Sequence, residues 1–357
     1  MKPVCFFGAW DPGYPRNRIL RAGLEHAGLE VLEVRVRERR ALFRYPALAR
    51  AFHAAGRASG TLLVPEFRHK DMPLARLLRG SRALVFDPLV SRHDTLVDDW
   101  ELHARGSLQA RWNLAIDRRA LALADLVLCD TWAHGALYQT LGVPRARLER
   151  VLGGAEARVF ELPPPPAAEP VTIVYVGGFL PLHGTTTIVE ALARLEREPA
   201  VPSYRARLVG RGIEAEAARA RARELGVTRV EFAGPVPYSE SEAALATAHI
   251  ALGAFGAGAK AGRVIPHKVW QALAAGRAVV TGDGDGVREV FEPERELLVV
   301  PRGDAAALAA ALARLVRDAP QREGLGRCGR TRAQAVGSAA AVGASLRAAL
   351  EKHGALR

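Results

Sequence analysis

The chain reads as an α/β protein made of two Rossmann-like, doubly wound parallel-sheet domains facing a cleft. Three observations predict this. Short apolar runs alternate with amphipathic stretches along the 357 residues, which is the grammar of strand, crossover helix and parallel strand. The alternation breaks once, at ELPPPPAAEP (161–170), where consecutive prolines neither extend a helix nor join a central strand. The length suits two domains of roughly 150 residues, and a hydrophobic content of 49% gives each a core.

The elements follow in order. VCFFGAW (4–10) is a first strand, ending in the loop DPGYPRN. A helix from Asn17 is stopped by Gly28, and VLEVRV (31–36) alternates as a strand. TLLVPEF (61–67), RALVFDPLV (82–90) and DLVLCDT (125–131) are buried-strand candidates with helical stretches between them. Beyond the prolines the strands are VTIVYVG (171–177), YRARLVG (204–210), VEFAG (230–234), IALGAF (250–255), RAVVTG (277–282) and LLVV (297–300). Asp304 caps an amphipathic helix. The predicted domains are 1–163 and 164–337, with a helical tail, 338–357, packing back on the first. In open parallel sheets ligands sit at the carboxyl ends of the strands.

The formal charge is +12, and only five of the 50 cations are lysine. Most of this charge reads as arginine filling solvated helix faces; an anionic membrane surface or an anionic substrate is the functional reading. Nucleic acid fits poorly, because aromatics are 6% of the chain and are not interleaved with the arginine clusters. No run of ~18 apolar residues spans a bilayer. The N-terminal apolar run is too short for a secretory signal. Cys5, Cys129 and Cys328 lack paired spacing, as expected of reduced thiols. These features place the protein in the cytoplasm, with peripheral attachment to the inner membrane face as an extension of that reading.

The second half carries the chemistry. Gly177 and Gly178 follow a strand, where the lack of a Cβ lets backbone approach a ligand. His183, Gly184 and three threonines then open a helix whose first N–H groups suit an anion. An ordinary strand–loop–helix turn has the same look. In LVGRGIE (208–214), Arg211 is placed to pair with phosphate or stack on a base; a solvated arginine is equally consistent. In 255–276, Pro266 suits a first helical turn and Gly276 the position past the last. Lys268 and Gln271 share one face of that helix. Lys260 and Lys268 lie eight apart in a chain that otherwise uses arginine, which marks them as placed ammonium groups fit to neutralise a diphosphate.

This ordered series is Gly–Gly–Phe with a downstream His–Gly, Leu–Val–Gly–x–Gly, Phe–Ala–Gly–x–Val, Lys–x–x–Gln–Ala–Leu–Ala–Ala–Gly and Gly–Val–Arg–Glu, within 173–289. It resembles the donor domain of the GT-B fold, and in particular glycosyltransferase family four, the retaining, metal-independent nucleotide-sugar enzymes. The resemblance implies a hexosyltransferase-type enzyme acting on a saccharide, glycolipid or other hydroxyl acceptor, with no cofactor and no metal. It assigns the donor to Gly177, Gly178, His183, Gly184, Arg211, Lys260, Arg263, Lys268 and Gln271, with Gly178 and Gly184 as backbone donors. Two glutamates eight apart are usual in the family; Arg263 and Gln271 stand there, and His183 replaces the usual lysine before the helix glycine. Gln271 still hydrogen-bonds hydroxyls, whereas Arg263 cannot accept and is directed to diphosphate or an anionic donor group.

The family's first domain binds the acceptor. Gly13, Tyr14 and Arg18 follow the first strand, Asp87, Ser91, His93 and Asp94 follow another, and His134 a third. Asp87 or Asp94 is assigned to an acceptor hydroxyl or an oxocarbenium-like sugar, with Arg263 and Lys268 stabilising the leaving diphosphate. Loop and cap roles are the alternative for the acidic group. Two other readings stay open: a non-catalytic nucleotide- or sugar-binding relative, and a phosphorylase or epimerase.

Overall fold

The computed structural model describes residues 2–38, 40–167, 170–234 and 238–356. They form two compact units, Met1–Gly154 with Ala339–Arg357, and Ala155–Ser338. The division falls at Gly154/Ala155, before the proline run at which the sequence placed it. The reason is hydrogen bonding: Ala155 N donates to Gly337 O (2.8 Å), Arg277 Nη2 to Pro163 O (2.6 Å), and Arg330 to Phe160 O. These bonds tie 155–163 to the second unit. Ala168 and Glu169 of the expected linker, and Val236 of the Phe–Ala–Gly–x–Val motif, lie outside the described residues.

In the first unit the chain runs β1 (Val4–Gly8), α1 (Pro15–His26), β2 (Val31–Arg35), α2 (Ala41–Ala54), β3 (Thr61–Val64), α3 (Met72–Leu78), β4 (Ala83–Phe86), α4 (Leu108–Leu123), β5 (Leu126–Cys129), α5 (Trp132–Thr140) and β6 (Leu148–Arg150). The strands form one parallel sheet, in the order β2-β1-β3-β4-β5-β6. Both faces are covered. Leu48 and Phe52 of α2, Met72 and Leu74 of α3 and Leu121 of α4 pack on one side with Phe7 and Phe86. Ile19, Leu20 and Leu24 of α1 pack on the other with the C-terminal helix (Ala339–Lys352) through Val342, Leu346 and Leu350. β6 was not foreseen, since LER has no apolar pattern; its register against β5 makes it a strand.

The second unit continues with α6 (Ala157–Phe160), β7 (Val171–Val176), α7 (Thr185–Glu196), β8 (Tyr204–Val209), α8 (Ala215–Leu225), β9 (Val230–Ala233), α9 (Tyr238–Ala246), β10 (Ile250–Leu252), α10 (Ala259–Arg263), α11 (His267–Ala274), β11 (Ala278–Gly282), α12 (Asp285–Arg288), β12 (Leu298–Val300), α13 (Ala305–Arg317) and α14 (Ala319–Gly337). Its sheet is also parallel, in the order β12-β11-β10-β7-β8-β9. Asp304 caps α13 by accepting from Ala306 N and Ala307 N, each at 2.9 Å. Pro266 is the N-cap of α11, and Gly276, at φ 71°, ends the chain's helical run just beyond it. The three cysteines are free thiols.

Candidate functional site

β7 and β10 are neighbours at the centre of the second sheet, and the elements that follow their carboxyl ends build the site. α11 is short, and Val269 and Leu273 anchor it, both fully buried. That anchoring sets the opposite face and directs Lys268 back over β7. The Lys268 Nζ lies 3.8 Å from the centroid of the Tyr175 ring. It also fills the space beside Gly177. A Cβ on that glycine would sit 2.6 Å from Nζ, and the glycine's φ is 152°. Only a glycine leaves this volume to the ammonium. The Nζ is buried and has no hydrogen-bond partner. Burial alone therefore drives the Lys268 pKa well below its ordinary value.

The walls around this ammonium are held by a small network. The Tyr175 hydroxyl and His183 Nδ1 both donate to Gly178 O. With Nδ1 donating, the Nε2 of a neutral His183 holds the lone pair. The imidazole is kept neutral first by burial, then by the charge of Lys268 and, more weakly, that of Lys260. Those couplings put the two lysines foreseen in the sequence around one histidine. Lys260 is itself 6% exposed.

Gly184 has φ 61°, and a Cβ there would meet the Phe255 carbonyl carbon at 2.6 Å. The loops after β7 and β10 thus meet backbone to backbone, with Phe255 N donating to His183 O (3.0 Å). The expected backbone-donor role of Gly184 is corrected here. Its N–H donates to Pro181 O (3.0 Å), as the Gly177 N–H does to Val209 O (2.9 Å). The first turn of α7, Thr185–Thr187, begins immediately after it.

Gln271 is buried, and its Nε2 meets His267 Nε2 at 2.9 Å. Since the amide nitrogen donates, the His267 ring nitrogen accepts. Arg263 is half-buried at the end of α10, and Arg211 is exposed in the loop after β8. A cavity of about 360 Å³ opens beside α10 and α12, lined by Ala257, Asp283, Gly284, Asp285, Arg288, Pro301 and Arg302. Asp283 and Arg288 close a two-point ion pair there (2.6 and 2.8 Å).

In the first unit the residues singled out also follow the carboxyl ends of the strands, and most are engaged with neighbouring residues. Arg16 clamps Asp87 through Nε–Oδ2 (2.9 Å) and Nη2–Oδ1 (3.1 Å), and its Nη1 donates to Val151 O and Leu152 O. Both side chains are buried, so Asp87 stands as half of an ion pair rather than as an open carboxylate. Ser91 donates to Asp117 (2.7 Å) and its Oγ accepts from Asp94 N (3.0 Å). His93 N donates to Asp117, and its ring faces Asp98 at 3.2 Å. Ser91 and the backbone N–H groups of His93 and Asp94 are thus tied into the loop around Asp117. His134 Nδ1 donates to Asp130 (2.7 Å), and its buried Nε2 has no partner. Gly13 N donates to Asp11. Tyr14 sits edge-on to Phe67, and Arg18 lies in α1.

Several residues were missed. Tyr175 looked like one more apolar strand position, and His267 was passed over although its i,i+4 spacing to Gln271 was legible. Glu66 gave no signal at all. It is buried next to Asn17, with Oε2 unpartnered. Burial first, and then the charge of Asp87, push its pKa up to about 8.

Residues 170–318 match the family described as Glycosyl transferases group 1. No curated protein sequence matches the chain. Among solved structures, sucrose-phosphate synthase from Thermosynechococcus elongatus superposes with TM-score 0.78 at 18% identity, covering 100% of both chains. Anabaena HepE in complex with UDP and glucose gives 0.74 at 15%, covering 98% of this chain and 100% of its own. The apo form of the lipopolysaccharide outer core galactosyltransferase WaaB gives 0.66 at 13%, covering 98% and 99%. Residues 170–318 are thus similar to the Glycosyl transferases group 1 family, and the chain shares the GT-B fold of these structures.

Proposed function

We propose that the protein transfers a sugar from a nucleoside-diphosphate sugar to a hydroxyl acceptor, and that the second unit holds the donor. One observation carries this reading. Lys268 is an ammonium buried without a carboxylate or a hydrogen-bond partner, a placement that costs several kcal/mol unless an anion completes it. The diphosphate of the donor is that anion, and Lys260, Arg263 and Arg211 supply further positive charge. Gln271 receives ribose hydroxyls, with His267 fixing its amide. Gly178 and the first turn of α7 offer backbone N–H groups in place of Gly184. HepE, a neighbour in fold, is known with UDP and with UDP-glucose, so UDP is the first ligand to try.

In the reaction, positive charge around the diphosphate offsets the charge that builds on the leaving group. The leaving phosphate oxygen takes the acceptor proton, which fits retention of configuration and needs neither metal nor cofactor. The first unit takes the acceptor, a saccharide or lipid-linked sugar. There Asp117 orders the loop that carries Ser91, His93 and Asp94, and Asp87 fixes Arg16 against the Val151 and Leu152 carbonyls. A thermal-shift panel of uridine, guanosine, adenosine and thymidine diphosphates tests the donor site. Stabilisation by one of them, followed by sugar transfer or donor hydrolysis with the matching nucleotide sugar, is the expected outcome. A flat panel removes the assignment. Binding without turnover across an acceptor panel would favour a non-catalytic role, to which Arg263 and Gln271 in place of two carboxylates lend some support.

A further inference from the structure

The helix layer α2–α3–α4 of the first unit has an outer surface unlike the rest of the molecule. Its inner side packs on the sheet through Leu48, Met72 and Leu121. Large apolar side chains project from the outer side: Leu42 and Phe43 at the start of α2, Leu77 on α3, and Leu108 and Trp112 on α4. Leu77 and Leu108 are each 78% exposed and Trp112 is 65% exposed. Leu108 and Trp112 are i,i+4 neighbours and form one stripe.

Within the three helices the exposed charge has one sign, and at their edge Asp125, just past α4, pairs with Arg79. The three helices contain a single carboxylate, Asp117, and it is fully buried, accepting from Ser91 and from Arg92 N and His93 N. Exposed cations stand around the apolar tips: Arg40, Arg50, Arg76, Arg111, Arg118 and Arg119. On α4 the positions three and four residues from each arginine are Ser107, Leu108, Leu114, Ala115, Ile116, Leu121, Ala122 and Leu123, none of them acidic. The opposite helix layer is built differently. There Arg21 pairs with Glu25 and Arg347 with Glu351, each at i,i+4. Solvated helix faces ordinarily balance their charge in that way.

We infer that the α2–α3–α4 face docks on an anionic lipid surface, its arginines against headgroup phosphates and its leucines, Phe43 and Trp112 entering the headgroup–acyl boundary. A bilayer supplies both complements at once, dense negative charge above hydrocarbon. A second copy of this face supplies apolar area but no negative charge, so two such faces repel. Nucleic acid would match the charge but not Leu42, Leu77 and Leu108, which neither stack nor hydrogen-bond. Among the described residues no helix is long and apolar enough to cross a membrane, so the attachment is peripheral. The inference is independent of the donor site, because every residue in it belongs to the first unit.

The test is co-sedimentation of the full chain with vesicles of phosphatidylcholine alone or with about 30% phosphatidylglycerol, where each arginine near the surface is worth about fivefold in partition. Binding is expected to the anionic vesicles only, and to weaken in high salt. The variant R111E/R118E/R119E should lose at least on the order of 100-fold, the worth of three arginines by the same arithmetic, with the new glutamates adding repulsion. F43S/W112S should lose roughly tenfold or more, since two buried aromatic side chains are withdrawn. Circular dichroism and Tm check that both variants fold. Absence of binding to anionic vesicles overturns the proposal. So does equal binding to neutral ones, or wild-type partition by the charge-reversal variant. Preferential capture of a single-stranded oligonucleotide, or self-association abolished by the same variants, would reassign the face.

Discussion

Replacing Lys268 by Met separates a ligand-binding ammonium from a structural one. The side chain keeps its apolar stem against Tyr175 and Gly177 but loses a charge that is buried without a partner. Removing an uncompensated buried charge does not destabilise the apo protein, so the apo Tm of Lys268→Met should stay level or rise. The response to UDP should move the other way. At 100 times its dissociation constant, UDP stabilises the wild type by about 2.7 kcal/mol. A unit the size of Ala155–Ser338 gains about 2–4 °C per kcal/mol, hence roughly 5–10 °C. A hydrogen bond to a charged group contributes about 1.5–3 kcal/mol. Without it the same UDP concentration yields only ~1.3 to ~0.3 kcal/mol. The pH dependence follows from the lowered pKa. The unfolded chain binds the Lys268 proton more tightly than the folded one. Apo stability therefore rises with pH between the folded and unfolded pKa values, and is complete above the latter. A bound diphosphate restores the proton, so UDP affinity strengthens as pH falls through that window, a slope absent from Lys268→Met. Differential scanning fluorimetry from neutral to alkaline pH measures all three quantities. A variant that keeps the full UDP shift, or that loses several degrees without ligand, would refute the reasoning.

The remaining predictions concern single contacts. Gly177→Ala places a methyl 2.6 Å from the Lys268 Nζ and must push the ammonium aside; the expected result is a folded protein with a weakened UDP shift. Arg16→Ala should cost about 3–5 kcal/mol in urea unfolding, because it strands Asp87 in a buried site, whereas R16M/D87L should cost distinctly less. For Glu66, the folded pKa of about 8 lies above the ordinary carboxylate value. Stability from this group is complete at low pH and is lost as pH rises toward 8, at roughly 1.4 kcal/mol per pH unit. Glu66→Gln should flatten that slope in denaturant titrations across the window; an unchanged slope rules out Glu66 as its source.

Much of the fold was legible because parallel sheets covered on both faces leave continuous apolar runs. VTIVYV, VCFFG and AVVTG announce themselves as strands in this way. Capping was equally plain at Asp304 and Gly276, since each residue type answers a backbone requirement of its own position, whereas Pro266, expected in the first turn, stands one residue earlier as the N-cap. The short polar strand Leu148–Arg150 was invisible because its neighbour in the sheet, and not its composition, makes it extended. The unit boundary was misplaced for a related reason. Prolines mark stiffness, but the side of the boundary to which 155–163 belongs depends on acceptors for Arg277 and Arg330 far along the chain.

The site divides along the same line. Residue type and spacing by themselves determined that Lys268 and Gln271 share a helix face, that Lys260 stands apart in an arginine-rich chain, and that glycines crowd the carboxyl end of β7. Those are local properties, fixed by helical period and by the missing Cβ. Only the tertiary structure decided what the groups became. It laid the Lys268 ammonium against Tyr175 and Gly177, joined Asp87 to Arg16, spent the Gly184 N–H on its own loop, and buried Glu66. Desolvation and pairing between residues distant in sequence set charge state and availability, and neither is encoded in spacing.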